Sequence, residues 1–206
     1  ALCVGVGLLD DKLGARLSPW VKLLVQAAAA ALAVWAGAVT SVFPWPWLNA
    51  LISAVWIVAI TNALNFVDNM DGLSAGLAAI SSLLLGALAY QQDQYFMLAI
   101  FCALSGAAAG FLPWNFPRAR IYLGDAGSLF LGYCLGALTL LESYVTPASH
   151  TLLPSLLPIL VLTVPVFDMV SVIVIRLREG RPIYVGDRSH LSHRLVARAQ
   201  VEVVGV

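Results

Sequence analysis

Charge is what this sequence has least of. Only 11% of its 206 residues are Asp, Glu, Lys or Arg, against about 25% in a typical soluble domain. That shortage excludes a solvated globular monomer and a charge-rich disordered chain. The 11 Lys and Arg balance the 11 Asp and Glu, so no basic excess exists to hold a polyanion, and no nucleic-acid partner is expected. Cysteine is scarce too. Cys3, Cys102 and Cys134 stand singly in apolar runs, with no C-x-x-C pair and no even framework, and read as small buried hydrophobes. Internal repeats and low-complexity linkers are missing. The nine residues before Asp10 carry no basic region or cleavage site, so they are not a signal peptide. They are also too few for a span of about 20 residues. They read as the end of a helix begun upstream, and the sequence as a fragment.

What is present is apolar surface: 61% of residues are hydrophobic and the mean hydropathy is +0.90. Stretches of spanning length run at about 21–43, 47–66, 72–90, 95–113, 127–146 and 152–177. Pro44-Trp45-Pro46, Gln91-Gln92-Asp93 and Pro147-Ala148-Ser149 separate them. Trp20, Trp45, Trp47, Tyr90, Tyr95, Trp114 and Tyr144 gather near their ends, as an interfacial belt would. The expected fold is therefore all-α: a polytopic transmembrane helix bundle of six complete spans plus a partial N-terminal one, forming a single integral-membrane domain over 1–206.

Charge placement gives the orientation. Six crossings put loops near 10–22, 62–72, 114–126 and 178–200 on one side, and 44–46, 91–94 and 147–151 on the other. None of the 11 Lys and Arg falls in the second set. The positive-inside rule makes the first side cytoplasmic.

Carboxylates crowd that same side. Asp10 and Asp11 are adjacent, and one would take up a proton unless a cation neutralised it; the alternative is a hydrated pair of helix-end charges beside Lys12. In Asn62-Ala-Leu-Asn65-Phe-Val-Asp68-Asn69-Met-Asp71-Gly72 the polar residues recur at three and four, so they share a helix face. That strip suits hydrogen bonding to a base or sugar, with its carboxylates toward a metal, or else a polar seam followed by an N-cap. Gly124-Asp125-Ala-Gly127-Ser128 is a glycine-punctuated turn into a helix, a setting for phosphate or for a plain Asp125 N-cap. Hard carboxylate oxygens suit Mg²⁺ or Mn²⁺ rather than zinc. Arg181, Arg188, His190, His193 and Arg194 supply donors for a phosphate or diphosphate. Asp168 lies deeper, about two turns inside the last span.

At these positions the sequence resembles the polyprenyl-phosphate N-acetylhexosamine-1-phosphate transferases, a group within glycosyltransferase family 4. The matching segments are Gly7-Leu-Leu-Asp10-Asp11, Asn62 to Leu73, Ala119 to Leu129, and Gly186-Asp187-Arg188-Ser-His190-Leu-Ser-His193. They stand in family order between about residues 5 and 196. The resemblance implies Mg²⁺-dependent transfer of a sugar-1-phosphate, GlcNAc-1-phosphate by the form of the last segment, from a UDP-sugar to undecaprenyl phosphate. UMP is released and cell-envelope polysaccharide synthesis begins, at the cytoplasmic face of the bacterial inner membrane. It implies Asp125 as principal metal ligand with Asp71 assisting, and Asp10, Asp11 and Asp68 as the residues that position or deprotonate the lipid phosphate. Lys22, Arg188, His190 and His193 would hold the diphosphate, Asn65 and Asn115 would contact nucleotide or sugar, and Asp168 would order the basic loop or a neighbouring helix. Family members have about ten or eleven spans, so helices are expected beyond both ends, and a homodimer is common. Two departures stand out: Ser192 occupies the middle of a usual His-x-His-His, and residues 196–206 do not resemble the next span.

Three rivals are distinguishable. Phospho-MurNAc-pentapeptide transferase is the nearest alternative. The CDP-alcohol phosphotransferase signature starts like Asp68-Asn-Met-Asp71-Gly-Leu-Ser-Ala75, but Gly76 replaces its required Arg. A cation-coupled transporter would carry its carboxylates near the bilayer midplane, whereas here most sit at one face.

Overall fold

The computed structural model describes residues 1–14, 17–142, 156–180 and 182. Every regular element among them is helical: α1 (Leu2–Lys12), α2 (Pro19–Trp35), α3 (Pro46–Phe66), α4 (Leu73–Gln91), α5 (Tyr95–Asn115), α6 (Gly124–Leu141), α7 (Leu157–Val161) and α8 (Thr163–Arg178). An all-α multi-pass membrane protein is the result. Among the described residues, four helices, α3 to α6, are long and apolar enough to cross a bilayer.

The other two expected spans differ from expectation. The stretch at 21–43 gives the 17-residue α2, whose helix stops at Trp35; Gly37 has φ +105°, which ends the helix although the sequence stays apolar to Phe43. The stretch at 152–177 is broken at Leu162 into α7 and α8. Pro165, in the first turn of α8, has no N–H to give to Val161 and so cannot continue the preceding helix. Proline also opens α2 and α3, at Pro19 and Pro46, where its missing donor costs nothing.

α3 is the hub, packing on α2, α6 and α8, while α1 lies on α6 and α4 pairs with α5. Its contact with α6 is backbone-close: a Cβ on Gly132 would stand 2.7 Å from Thr61 Cα, the approach that small residues permit between membrane helices. Ile60, Leu64, Phe101, Leu135 and Leu162 are fully buried in the central core. Outward faces are apolar, and Trp20, Trp45, Trp47, Tyr90, Tyr95 and Trp114 are all exposed, as residues of a headgroup belt should be. Tyr144 lies outside the described residues.

Side-chain bonds tie the C-terminal ends of α1, α3 and α5 to the N-terminal ends of α2, α4 and α6. The segments at 10–22, 62–72 and 114–126 thus meet at one end of the bundle. The last turn of α8 reaches that end as well, with the Arg176 guanidinium 5.5 Å from the Phe66 ring centroid.

Candidate active site

Asp10 is a buried carboxylate, 2% exposed. One oxygen accepts from the Leu17 N–H at 2.9 Å, and the other from Lys22 Nζ at 2.8 Å. Hydrated helix-end charge is therefore the wrong description: the cation that neutralises this residue is Lys22, from the first turn of the next helix. The same ammonium donates to Asp125 Oδ2 at 2.8 Å. Asp125 Oδ1 accepts from Asn65 Nδ2 at 2.8 Å, and that amide also reaches Ser128 Oγ at 2.9 Å. Residues from α1, α2, α3 and α6 thus meet around a single carboxylate.

Asp11 points to the start of α6. Its two oxygens accept from the backbone N–H groups of Asp125 and Ala126, at 3.0 and 3.1 Å, so a carboxylate from α1 caps α6 and meets the positive end of its dipole. Asp125 is accordingly not an N-cap; the cap position of α6 is Leu123. Nor is Asp71 the N-cap of α4, where Gly72 stands.

Asp71 and Asn115 act on the loops. Asp71 Oδ2 accepts from the Ala119 N–H at 2.9 Å. Buried Asn115 accepts from the Gly72 N–H at 2.8 Å and donates to the Ile121 carbonyl at 3.0 Å. Both ends of its amide are spent on backbone, tying the 66–72 loop to the 116–123 loop.

Asp68 differs from the others: among the described residues its carboxylate has no hydrogen-bond donor. Burial, and then the negative charges of Asp125, Asp11 and Asp71, push it up to about 7. A carboxyl that titrates near neutrality is fit to exchange protons with a phosphate.

Of the residues singled out in the sequence, Asp10, Asp11, Lys22, Asn65, Asp68, Asp71 and Asp125 come together here. Arg188, His190 and His193 lie outside the described residues. Sequence reasoning overlooked Gln26, buried one turn beyond Lys22, whose amide pairs reciprocally with Asn62 across α2 and α3. Its signal was a lone Gln four residues after Lys22 on an otherwise apolar helix.

The donor set suits a hard divalent cation. Among the described residues no three His, Cys, Asp or Glu side chains form a ready-made cluster, but Mg²⁺ commonly binds through one or two carboxylates and substrate phosphates. Burial raises Asp68 first and the repulsion of Asp125, Asp11 and Asp71 second, and a divalent charge would relieve the second.

A membrane helix bundle with an acidic, lysine-bridged site at one end of its helices is the class that fold and geometry define. The chain belongs to glycosyl transferase family 4, which matches residues 1–143. It is 37% identical over 205 residues to a probable undecaprenyl-phosphate N-acetylglucosaminyl 1-phosphate transferase of Bacillus subtilis, covering 95% of this chain and 56% of that protein. A decaprenyl-phosphate N-acetylglucosaminephosphotransferase of Mycobacterium leprae is 35% identical over 223 residues, again 95% of this chain and 56% of the relative. A phospho-N-acetylmuramoyl-pentapeptide-transferase of Moorella thermoacetica is 41% identical, but over 95 residues, 46% of this chain and 30% of that protein. The chain spans about half the length of the first two relatives.

Proposed function

We propose that this protein transfers GlcNAc-1-phosphate from UDP-GlcNAc to a polyprenyl phosphate, undecaprenyl phosphate in the first instance, and releases UMP. The observation that carries the mechanism is Asp68, a carboxyl with no hydrogen-bond donor among the described residues, raised to about 7 by burial and then by the charges of Asp125, Asp11 and Asp71. GlcNAc rather than MurNAc-pentapeptide is favoured because the similarity to the GlcNAc-1-phosphate enzymes extends over 95% of the chain.

The lipid phosphate approaches from the bilayer and Asp68 takes its proton. The freed oxygen attacks the β-phosphorus of UDP-GlcNAc in line. A new P–O bond forms to the lipid phosphate, and the bond from the β-phosphorus to the UMP oxygen breaks. Asn65 orients Asp125, and Asp11 holds α6 against α1 at the turn that carries Asp125. Asp125, with Asp71 assisting, would hold Mg²⁺, which would supply charge neutralisation on the diphosphate. Asn115 acts on loop position rather than on nucleotide. Arg188, His190 and His193 are assigned to the diphosphate. The six-span topology, the cytoplasmic placement of the site in the bacterial inner membrane and a homodimeric state belong to this reading.

The test is UMP release by membranes containing the protein, supplied with undecaprenyl phosphate, Mg²⁺ and UDP-GlcNAc. Release that needs both lipid and metal is expected. Release with UDP-MurNAc-pentapeptide alone would move the assignment to the other branch, and none with either donor would refute it.

A further inference from the structure

Two carboxylate oxygens from different helices converge on one point, and a cation already fills it. Lys22 Nζ stands 2.8 Å from Asp10 Oδ2 and 2.8 Å from Asp125 Oδ2. The remaining oxygens are committed elsewhere: Asp10 Oδ1 to the Leu17 N–H and Asp125 Oδ1 to Asn65. The lysine side chain keeps 24% of its surface, whereas that of Asp10 keeps 3%. The lysine side chain is therefore partly open to the surroundings while its deeper partner is enclosed.

A divalent cation on Asp125 needs an oxygen at about 2.0–2.1 Å. Placing it beside an ammonium bonded to that same carboxylate sets two positive charges against each other in a partly buried site. Lysine, a compact charge on a flexible stem, can leave one partner and keep another. Resting on the reading of Asp125 as a metal ligand, we infer that Lys22 is the resident cation of the Asp10–Asp125 pair, that a divalent metal must displace its ammonium from Asp125, and that a substrate phosphate receives the ammonium so released. Metal and phosphate then load cooperatively, each raising the affinity of the other by the same factor. Lys22 is in this account both a competitor of the metal and the link between metal and lipid phosphate.

The experiment measures Mn²⁺ binding by electron paramagnetic resonance on purified protein in nanodiscs, without nucleotide, with and without undecaprenyl phosphate. Lys22→Gln is expected to bind Mn²⁺ about tenfold more tightly than wild type in the absence of lipid phosphate, and to lose most of the gain that lipid phosphate gives the wild type. Lys22→Arg, which keeps the charge, should bind as weakly as wild type. Asp125→Asn should lose the site. If Asp125→Asn loses binding but Lys22→Gln binds Mn²⁺ no better than wild type, the displacement is overturned and the metal assignment survives. If Asp125→Asn binds as wild type does, both fall. A second measurement needs no variant: amine-reactive labelling of Lys22, followed by mass spectrometry, should rise when Mn²⁺ is added to wild type, and unchanged labelling contradicts the displacement.

Discussion

Asp11 and Asp125 are 114 residues apart in sequence, yet the Asp11 carboxylate accepts the Asp125 backbone N–H at 3.0 Å. With the neighbouring bond from Ala126, α1 supplies the cap that the sequence of α6 does not provide for itself. Two small residues make this possible. A Cβ on Gly7 would stand 2.5 Å from the Ala126 backbone, and one on Gly124, where φ is +65°, would stand 2.8 Å from Asp11 Oδ2. The cap fixes where Asp125 points, so the architecture of the site begins with the approach of α1 to α6.

Gly7→Ala should therefore separate α1 from α6. Overpacking of this kind costs about 1–3 kcal/mol, and the expected result is a melting temperature several degrees lower in detergent, with weaker Mn²⁺ binding. An unchanged melting temperature would show that α1 yields without cost.

Asp68 makes stability depend on pH with a definite sign. Its folded value, about 7, lies above the ordinary 3.8, so the folded protein holds a proton that the unfolded chain releases. Its contribution to stability is complete below about pH 3.8 and is lost as pH rises through 7. In metal-free buffer the wild type should melt progressively lower between pH 4 and 8, and Asp68→Asn should remove most of that slope. Thermal scans in EDTA decide it; equal slopes would remove the basis for treating Asp68 as the perturbed group.

The same residue should control rate. Asp68→Asn is expected to cost at least about a hundredfold in turnover, within the range for loss of a general base. A variant with near-normal turnover would transfer the base role to Asp10 or Asp11.

Asn115→Leu leaves the buried Gly72 N–H without an acceptor and the Ile121 carbonyl without its donor. The orphaned Gly72 N–H costs about 1–3 kcal/mol, whereas Ile121 is exposed and water can replace its lost donor. Lower thermal stability with a KM for UDP-GlcNAc close to wild type is expected in the residual activity. A selective rise in KM would restore Asn115 to the nucleotide.

Much of this was legible in sequence. The expected spans at 47–66, 72–90 and 95–113 match α3, α4 and α5 closely, because polar and turn residues bound them sharply. Apolar length misled where it continued past a conformational stop, at Gly37, and across a proline, at Pro165. The crowding of Asp10, Asp11, Asp68, Asp71 and Asp125 at one end followed from charge placement. Their partners did not. Lys22 meets Asp125 across 103 positions, and Asn115 gives its amide to two loops; such pairings depend on how helices pack, which periodicity does not encode. The Gln26–Asn62 pair was missed for the same reason, since only a packed interface reveals that two amides on separate helices satisfy each other.

The most direct test of the account is UMP release by Asp125→Asn beside wild type, in membranes supplied with undecaprenyl phosphate, Mg²⁺ and UDP-GlcNAc. The account predicts lipid- and metal-dependent release by wild type, and a fall of several powers of ten in the variant at equal membrane insertion. Near-normal release by Asp125→Asn would contradict it, because the carboxylate that Lys22 and Asn65 converge upon would then have no part in the chemistry.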